Sequence, residues 1–129
     1  MKTFRNPSEI HLPLAGYTHQ IEVTGDERWL VMSGQVGMKK DGTLPEDPIE
    51  QLGEALDNII RNLHSADMRV KDLVKLTFYL VGEIDANKRQ DIINSKLNGH
   101  KPCMTLLYVA SLATADYKFE IDAWACAPA

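Results

Sequence analysis

Hydrophobic and polar positions follow two rhythms along the chain, and each change of rhythm marks an element. From Tyr17 to Val23 they alternate, with Tyr17, His19, Ile21 and Val23 on one side and Thr18, Gln20 and Glu22 on the other, the pattern of a half-buried strand. A turn cluster, Thr24-Gly25-Asp26-Glu27, leads into the apolar run Trp29-Leu30-Val31-Met32, and the two runs together predict a hairpin. Ser33-Gly34-Gln35-Val36-Gly37 comes next, where the two glycines allow either a bulge at the strand exit or a close approach of the backbone to another group.

Asp47-Pro48 opens the clearest helix. Asp47 suits the N-cap, Pro48 the first helical position, and Glu50 places negative charge at the positive end of the helix dipole. Ile49, Leu52, Leu56, Ile59, Ile60 and Leu63 then recur at spacings of three and four, one stripe that needs a sheet to cover it. Period two returns over Val74–Leu80. A shorter helix is predicted from Asp85 to Leu97, with Ala86, Arg89, Ile93 and Leu97 along one side and Asn98-Gly99 as its stop. Two apolar runs close the chain, Met104–Ala110 and Lys118–Trp124, and their adjacency predicts a second hairpin.

The order is therefore β-β-α-β-α-β-β, which predicts an α+β domain with both helices on one face of a single sheet. In the last strand Phe119, Ile121, Ala123 and Ala125 suit the helix side. Lys118, Glu120, Asp122, Trp124 and Cys126 take the other side, where a tryptophan among charges is not an ordinary solvent-facing row. A second face dotted with aromatic residues predicts a homo-oligomer in which sheets pack together.

Length and composition narrow the function classes. At 129 residues the chain reads as one domain, 1–129, large enough for a core without disulfides. Its net charge of −4 and lack of a basic stripe argue against a nucleic-acid partner. No apolar run is long enough for a membrane span, and the first residues lack a signal-peptide core, so the protein reads as cytoplasmic, with Cys103 and Cys126 as free thiols.

Among groups that could do chemistry, the four histidines show no metal-ligand spacing, which argues against a zinc site. Cys103 would act as a nucleophile only beside a base such as His100 or His19; otherwise it is a buried, inert thiol. Glu120 and Asp122 lie two apart, so on a strand they share a face about 7 Å from each other. Partial desolvation there would suit a carboxyl group to proton transfer, while salt bridges across a subunit boundary, for instance with Lys118 or Lys75, are the structural alternative.

Several short segments, in order, resemble one family along nearly the whole chain: the reactive intermediate deaminases, or YjgF family. They are Gly16-Tyr17, Ser33-Gly34-Gln35-Val36, Asp41-Gly42, Gln51 with Ala55-Leu56-Asp57-Asn58-Ile59, Val74-Lys75 through Tyr79-Leu80-Val81, Pro102-x-x-Thr105, Val109-Ala110-x-Leu112 and Phe119–Ala123. The resemblance implies a chorismate-mutase-like fold, a homotrimer with a small-molecule ligand in a cleft between subunits, and no cofactor. In the best-known branch it implies hydrolysis of enamines and imines to keto acids and ammonia.

By the same resemblance Tyr17, Ser33 and Gly34 line the substrate cleft, with Cys103 and Met104 beside it, and Glu120 is the catalytic acid or the group that positions water. One position departs from the pattern. Where that branch carries the arginine that holds the substrate carboxylate, this chain has Met104, and a family cysteine two residues further on is Leu106. Losing one partner of a desolvated Arg–carboxylate pair costs on the order of 2–5 kcal/mol, and a thioether offers only weak acceptor character and apolar contact. The expectation is thus imine or enamine hydrolysis on a substrate without the usual carboxylate requirement; the alternative is a non-catalytic ligand- or partner-binding trimer. Ribonuclease activity, also attached to this family by name, is disfavoured by the acidic charge.

Overall fold

The computed structural model describes all of residues 1–129. Its elements are β1 (Lys2–Arg5), β2 (Gln20–Val23), β3 (Glu27–Val36), α1 (Pro48–Ser65), β4 (Leu73–Leu80), α2 (Ala86–Leu97), β5 (Cys103–Tyr108) and β6 (Phe119–Pro128), with a 3-10 turn at Val70–Asp72. β3, β6, β4 and β5 form a mixed sheet in that order, and β1 pairs with β2 in a separate antiparallel ladder. The class is α+β, with two helices packed on the sheet, as the sequence implies.

The helix stripe and the strand alternation meet in one core. Leu52, Ala55, Leu56, Ile59 and Leu63 of α1 are buried against Leu76, Phe78 and Leu80 of β4 and Phe119, Ile121, Ala123 and Ala125 of β6. Burying each of the larger side chains contributes about 1.5–3 kcal/mol. The Asp47 carboxylate accepts from the Glu50 N–H at 3.1 Å and starts α1. Asn98 in the left-handed region, φ 53°, ends α2. No helix is long and apolar enough to cross a membrane.

Two strand pairings differ from the sequence expectation. The run from Tyr17 does not form a hairpin ladder with Trp29–Met32; only Gln20–Val23 is a strand, and it pairs with β1. Arg5 bonds both Gln20 and Glu22 across that ladder, so charged and polar contacts hold a strand with no apolar rhythm of its own. The closing runs are not a hairpin either. β4, α2 and β5 form a parallel crossover unit, and β4 lies between β5 and β6.

The β1–β2 ladder lies across the end of the sheet where β3, β4 and β5 begin. The Met1 amino group bonds Glu27 at 2.6 Å, Lys2 donates to the Cys126 carbonyl, and the Phe4 ring meets His100 edge-on. Thr18 donates from its backbone to the Pro102 carbonyl and from its hydroxyl to the Lys101 carbonyl. That clamp ties the segment carrying Tyr17 to the start of β5.

Candidate functional site

β3 and β6 run in regular register from Glu27 to Met32, and a bulge then sets Ser33 and Gly34 opposite the single residue Asp122. A bulge bends its strand and re-aims the residues after it. Here it brings the Gly34 backbone onto the Glu120 side chain, so close that a Cβ on Gly34 would stand 2.2 Å from Glu120 Oε2. The glycine pair therefore satisfies both readings of the sequence, since Gly37 in turn lies against the backbone of Gln51 in α1. The helix and the carboxylate are seated by the same short stretch.

Glu120 lies on the face of the sheet away from the helices, opposite Tyr79. The Tyr79 hydroxyl donates to Asp122 Oδ2 at 2.9 Å, and that bond, with burial and the two nearby carboxylates, pushes the phenol up from its ordinary value. Asp122 is thereby engaged while Glu120 makes no hydrogen bond or ion pair within the chain. Within the chain, Lys75 donates to Thr105 and Lys118 to the Ala115 carbonyl. Around these acids the face is apolar, with Trp29 and Trp124 edge to face at 6.1 Å and each about half exposed (49% and 47%).

The remaining residues expected at the site gather elsewhere. Tyr17 packs its ring against His19, and its hydroxyl accepts from the Leu14 N–H. Cys103 faces the open side beside Lys75, and the Ile21 N–H points at its sulfur. Burial pushes its thiol up, with Lys75 opposing. His19 is bonded to the His11 carbonyl and His100 to the Leu73 carbonyl, so neither is engaged with that thiol. Met104 pairs with Leu76 and packs on the helix-side core.

Tyr17 and Cys103 thus lie at the start of edge strand β5, while Met104, expected in the cleft, is turned to the helix-side face, away from the face that carries Glu120. Ser33 and Gly34 sit on the opposite edge strand, β3, with Glu120 next to them. Three inter-strand spacings, about 14 Å, separate the two edges. Glu120 is level with Leu107, four residues, or about 13 Å, along β5 from Cys103. The residues expected at one site thus fall in two separate groups within a chain.

Sequence reasoning missed one supporting residue. Gln51 is buried; its amide donates to the carbonyls of Pro45 and Asp116 and accepts from the Lys118 N–H at 2.8 Å, fixing the approach to β6 two residues before Glu120. A polar residue inside the apolar stripe of a helix was the available signal. No group of three or more His, Cys, Asp or Glu is placed to hold a metal ion.

A two-helix α+β layer with a free carboxylate on its open face defines the class of protein to compare. The Endoribonuclease L-PSP family model matches residues 9–127, and the chain belongs to that family, which includes the YjgF and Rid proteins. No curated protein matches the sequence. Among solved structures, the Rid-family protein YyfB of Yersinia pestis is 27% identical, with a TM-score of 0.86 and 98% of each chain covered. The E. coli YjgF gene product is 26% identical over 88% of this chain and 89% of its own, with a TM-score of 0.70. E. coli TdcF, solved with bound serine, is 24% identical over 89% of this chain and 91% of its own, also with a TM-score of 0.70, and shares the fold.

Proposed function

We propose that this chain forms a homotrimer that binds a small molecule between subunits and hydrolyses a C=N bond there, with Glu120 as the proton-transferring group. The observation that carries the reading is the Glu120 carboxylate, seated on Gly34 and free of partners in its own chain. The reaction consumes one imine and one water and yields one carbonyl compound and one ammonia. The water oxygen adds to the imine carbon while the nitrogen gains a proton, and the resulting carbinolamine then expels ammonia as its hydroxyl is deprotonated. A carboxylate can take the proton from water and return it to the leaving nitrogen, so one group serves both steps.

The placement of the two groups favours the oligomer. Edge β5, with Tyr17 and Cys103, and edge β3, with Ser33 and Gly34, are different surfaces of one chain. Contacts that join one surface to another on the next copy close into a ring where the rotation between copies is a whole fraction of a turn, a third for a trimer. The exposed Trp29, Val31 and Trp124 supply apolar area for copies to cover. That the related TdcF was solved with serine bound agrees with a small-molecule ligand.

Met104 sets the substrate range. Without a guanidinium at that position, a 2-imino acid loses its anchor, and imines lacking a carboxylate become the better substrates. The test is ammonia release from generated 2-aminoacrylate and from uncharged imines, by the parent chain and by Met104→Arg. Turnover of uncharged imines by the parent, with 2-aminoacrylate turnover gained in the variant, is expected. No turnover of any imine by the parent, with a gain in the variant, would instead favour a ligand-binding trimer that has lost the reaction. The acidic net charge of −4 disfavours ribonuclease activity.

A further inference from the structure

We propose a second binding site, for a small phosphate-bearing anion, in the cavity between the carboxyl-terminal ends of α1 and α2 and the 3-10 turn. The cavity is an open concavity of about 760 Å³ among the helix ends, with none of the Glu120 group in its lining. That volume falls within the range of small-molecule sites, about 300–1,000 Å³.

Its charge is opposite to that of the whole chain. Arg69, Lys71 and Lys96 line it against one carboxylate, Asp67, in a protein of net charge −4. Two of its basic residues have an ordinary structural role. His64 and Lys96 occupy the last turns of α1 and α2, where cations complement the helix dipoles, and Lys96 is paired with Asp57 at 2.7 Å.

Arg69 and Lys71 have no such role. Arg69 precedes the 3-10 turn and Lys71 lies within it, neither makes a side-chain ion pair within the chain, and the neighbouring Asp72 is engaged by Lys2 and by the Arg69 backbone N–H. His100 lines the same cavity but spends its Nε2–H on the Leu73 carbonyl, which leaves it no N–H for an anion. The cationic lining thus comes from two elements, the turn through Arg69 and Lys71 and α2 through Lys96. The guanidinium fork fits a phosphate and a carboxylate alike, and a phosphate, with acceptor oxygens in several directions, can meet the turn and α2 at once where a planar carboxylate cannot. Ile60, Val70 and Leu97 add apolar wall for an organic portion.

The site is independent of the Glu120 reading. Calorimetric titration of the full-length chain with pyrophosphate and with AMP separates a bare phosphate from an organic one. Saturable binding, one site per chain, is expected, weakening as salt rises from about 50 to 300 mM. Affinity should fall about tenfold or more in Arg69→Ala/Lys71→Ala, fall less in each single Gln variant, and hold in Glu120→Gln. Circular dichroism checks that each variant is folded. No saturable heat with either probe, equal affinity in the double variant, or loss on Glu120→Gln would overturn the assignment. So would length-dependent binding of single-stranded RNA that neither probe displaces, which would make the cavity a nucleic-acid contact.

Discussion

The Glu120 carboxylate fills the space that a side chain on Gly34 would need: a Cβ there would lie 2.2 Å from Oε2, 2.6 Å from Cδ and 2.9 Å from Cγ. Gly34→Ala must therefore move the carboxylate. We expect a stability loss of about 1–2 kcal/mol, the cost of local overpacking. In a Glu120→Ala background those three atoms are gone, and the same substitution should cost almost nothing. A double-mutant cycle by chemical denaturation reads the difference directly; additive effects would show that the two residues do not meet.

Tyr79 and Asp122 form the other half of this cluster. Tyr79→Phe removes a hydrogen bond to a partly buried carboxylate and should cost about 1 kcal/mol, read from the denaturation midpoint. The raised phenol pKa fixes a pH dependence as well. The folded chain holds the Tyr79 proton more tightly than the unfolded chain. Its contribution is fully present below about pH 10 and is lost as pH rises through the folded value. Spectroscopic titration should show one tyrosine ionising later than the rest, and Tyr79→Phe should remove that component.

Gln51 joins α1 to the start of β6 through three backbone groups. Gln51→Leu leaves the Lys118 N–H and the Pro45 and Asp116 carbonyls without that partner, at a cost of about 2–4 kcal/mol. Because the same bonds set the entry to β6, turnover should fall along with the melting temperature. A variant as stable as the parent would show that these bonds do not hold the entry to β6.

Trp124 and Val31 are cross-strand neighbours on the open face, 47% and 57% exposed in the single chain. If copies cover this face, Trp124→Asp places a charge in their interface and should yield a folded monomer by light scattering. A parent that is itself monomeric at micromolar concentration would contradict the proposed assembly.

What the sequence made legible was what local chemistry dictates. Asp47-Pro48 and the apolar stripe define α1, Asn98-Gly99 stops α2, and period two over Val74–Leu80 and Phe119–Ala125 assigns each side chain its face, Glu120 included. Strand order was not legible, because pairing is decided by distant partners. Adjacency suggested a closing hairpin, yet the crossover through α2 slots β4 between β5 and β6. β1 carried no signal of its own, since Lys2-Thr3-Phe4-Arg5 has no alternating pattern and is held by Arg5 contacts and the amino terminus. At the site, Glu120 and the glycine pair could be read separately. The glycines signalled a bulge or a close approach there, but which side chain the bulge brings against Gly34 depends on the β3–β6 register, set by distant partners.

The central claim, that Glu120 on its Gly34 seat performs C=N hydrolysis, is tested most directly by ammonia release from an uncharged imine by the parent, Glu120→Gln and Gly34→Ala, each first shown to be folded and of the parent's oligomeric mass. The account predicts turnover by the parent, a loss of about 100-fold or more in Glu120→Gln and a substantial loss in Gly34→Ala. Parent-level turnover in Glu120→Gln would contradict it.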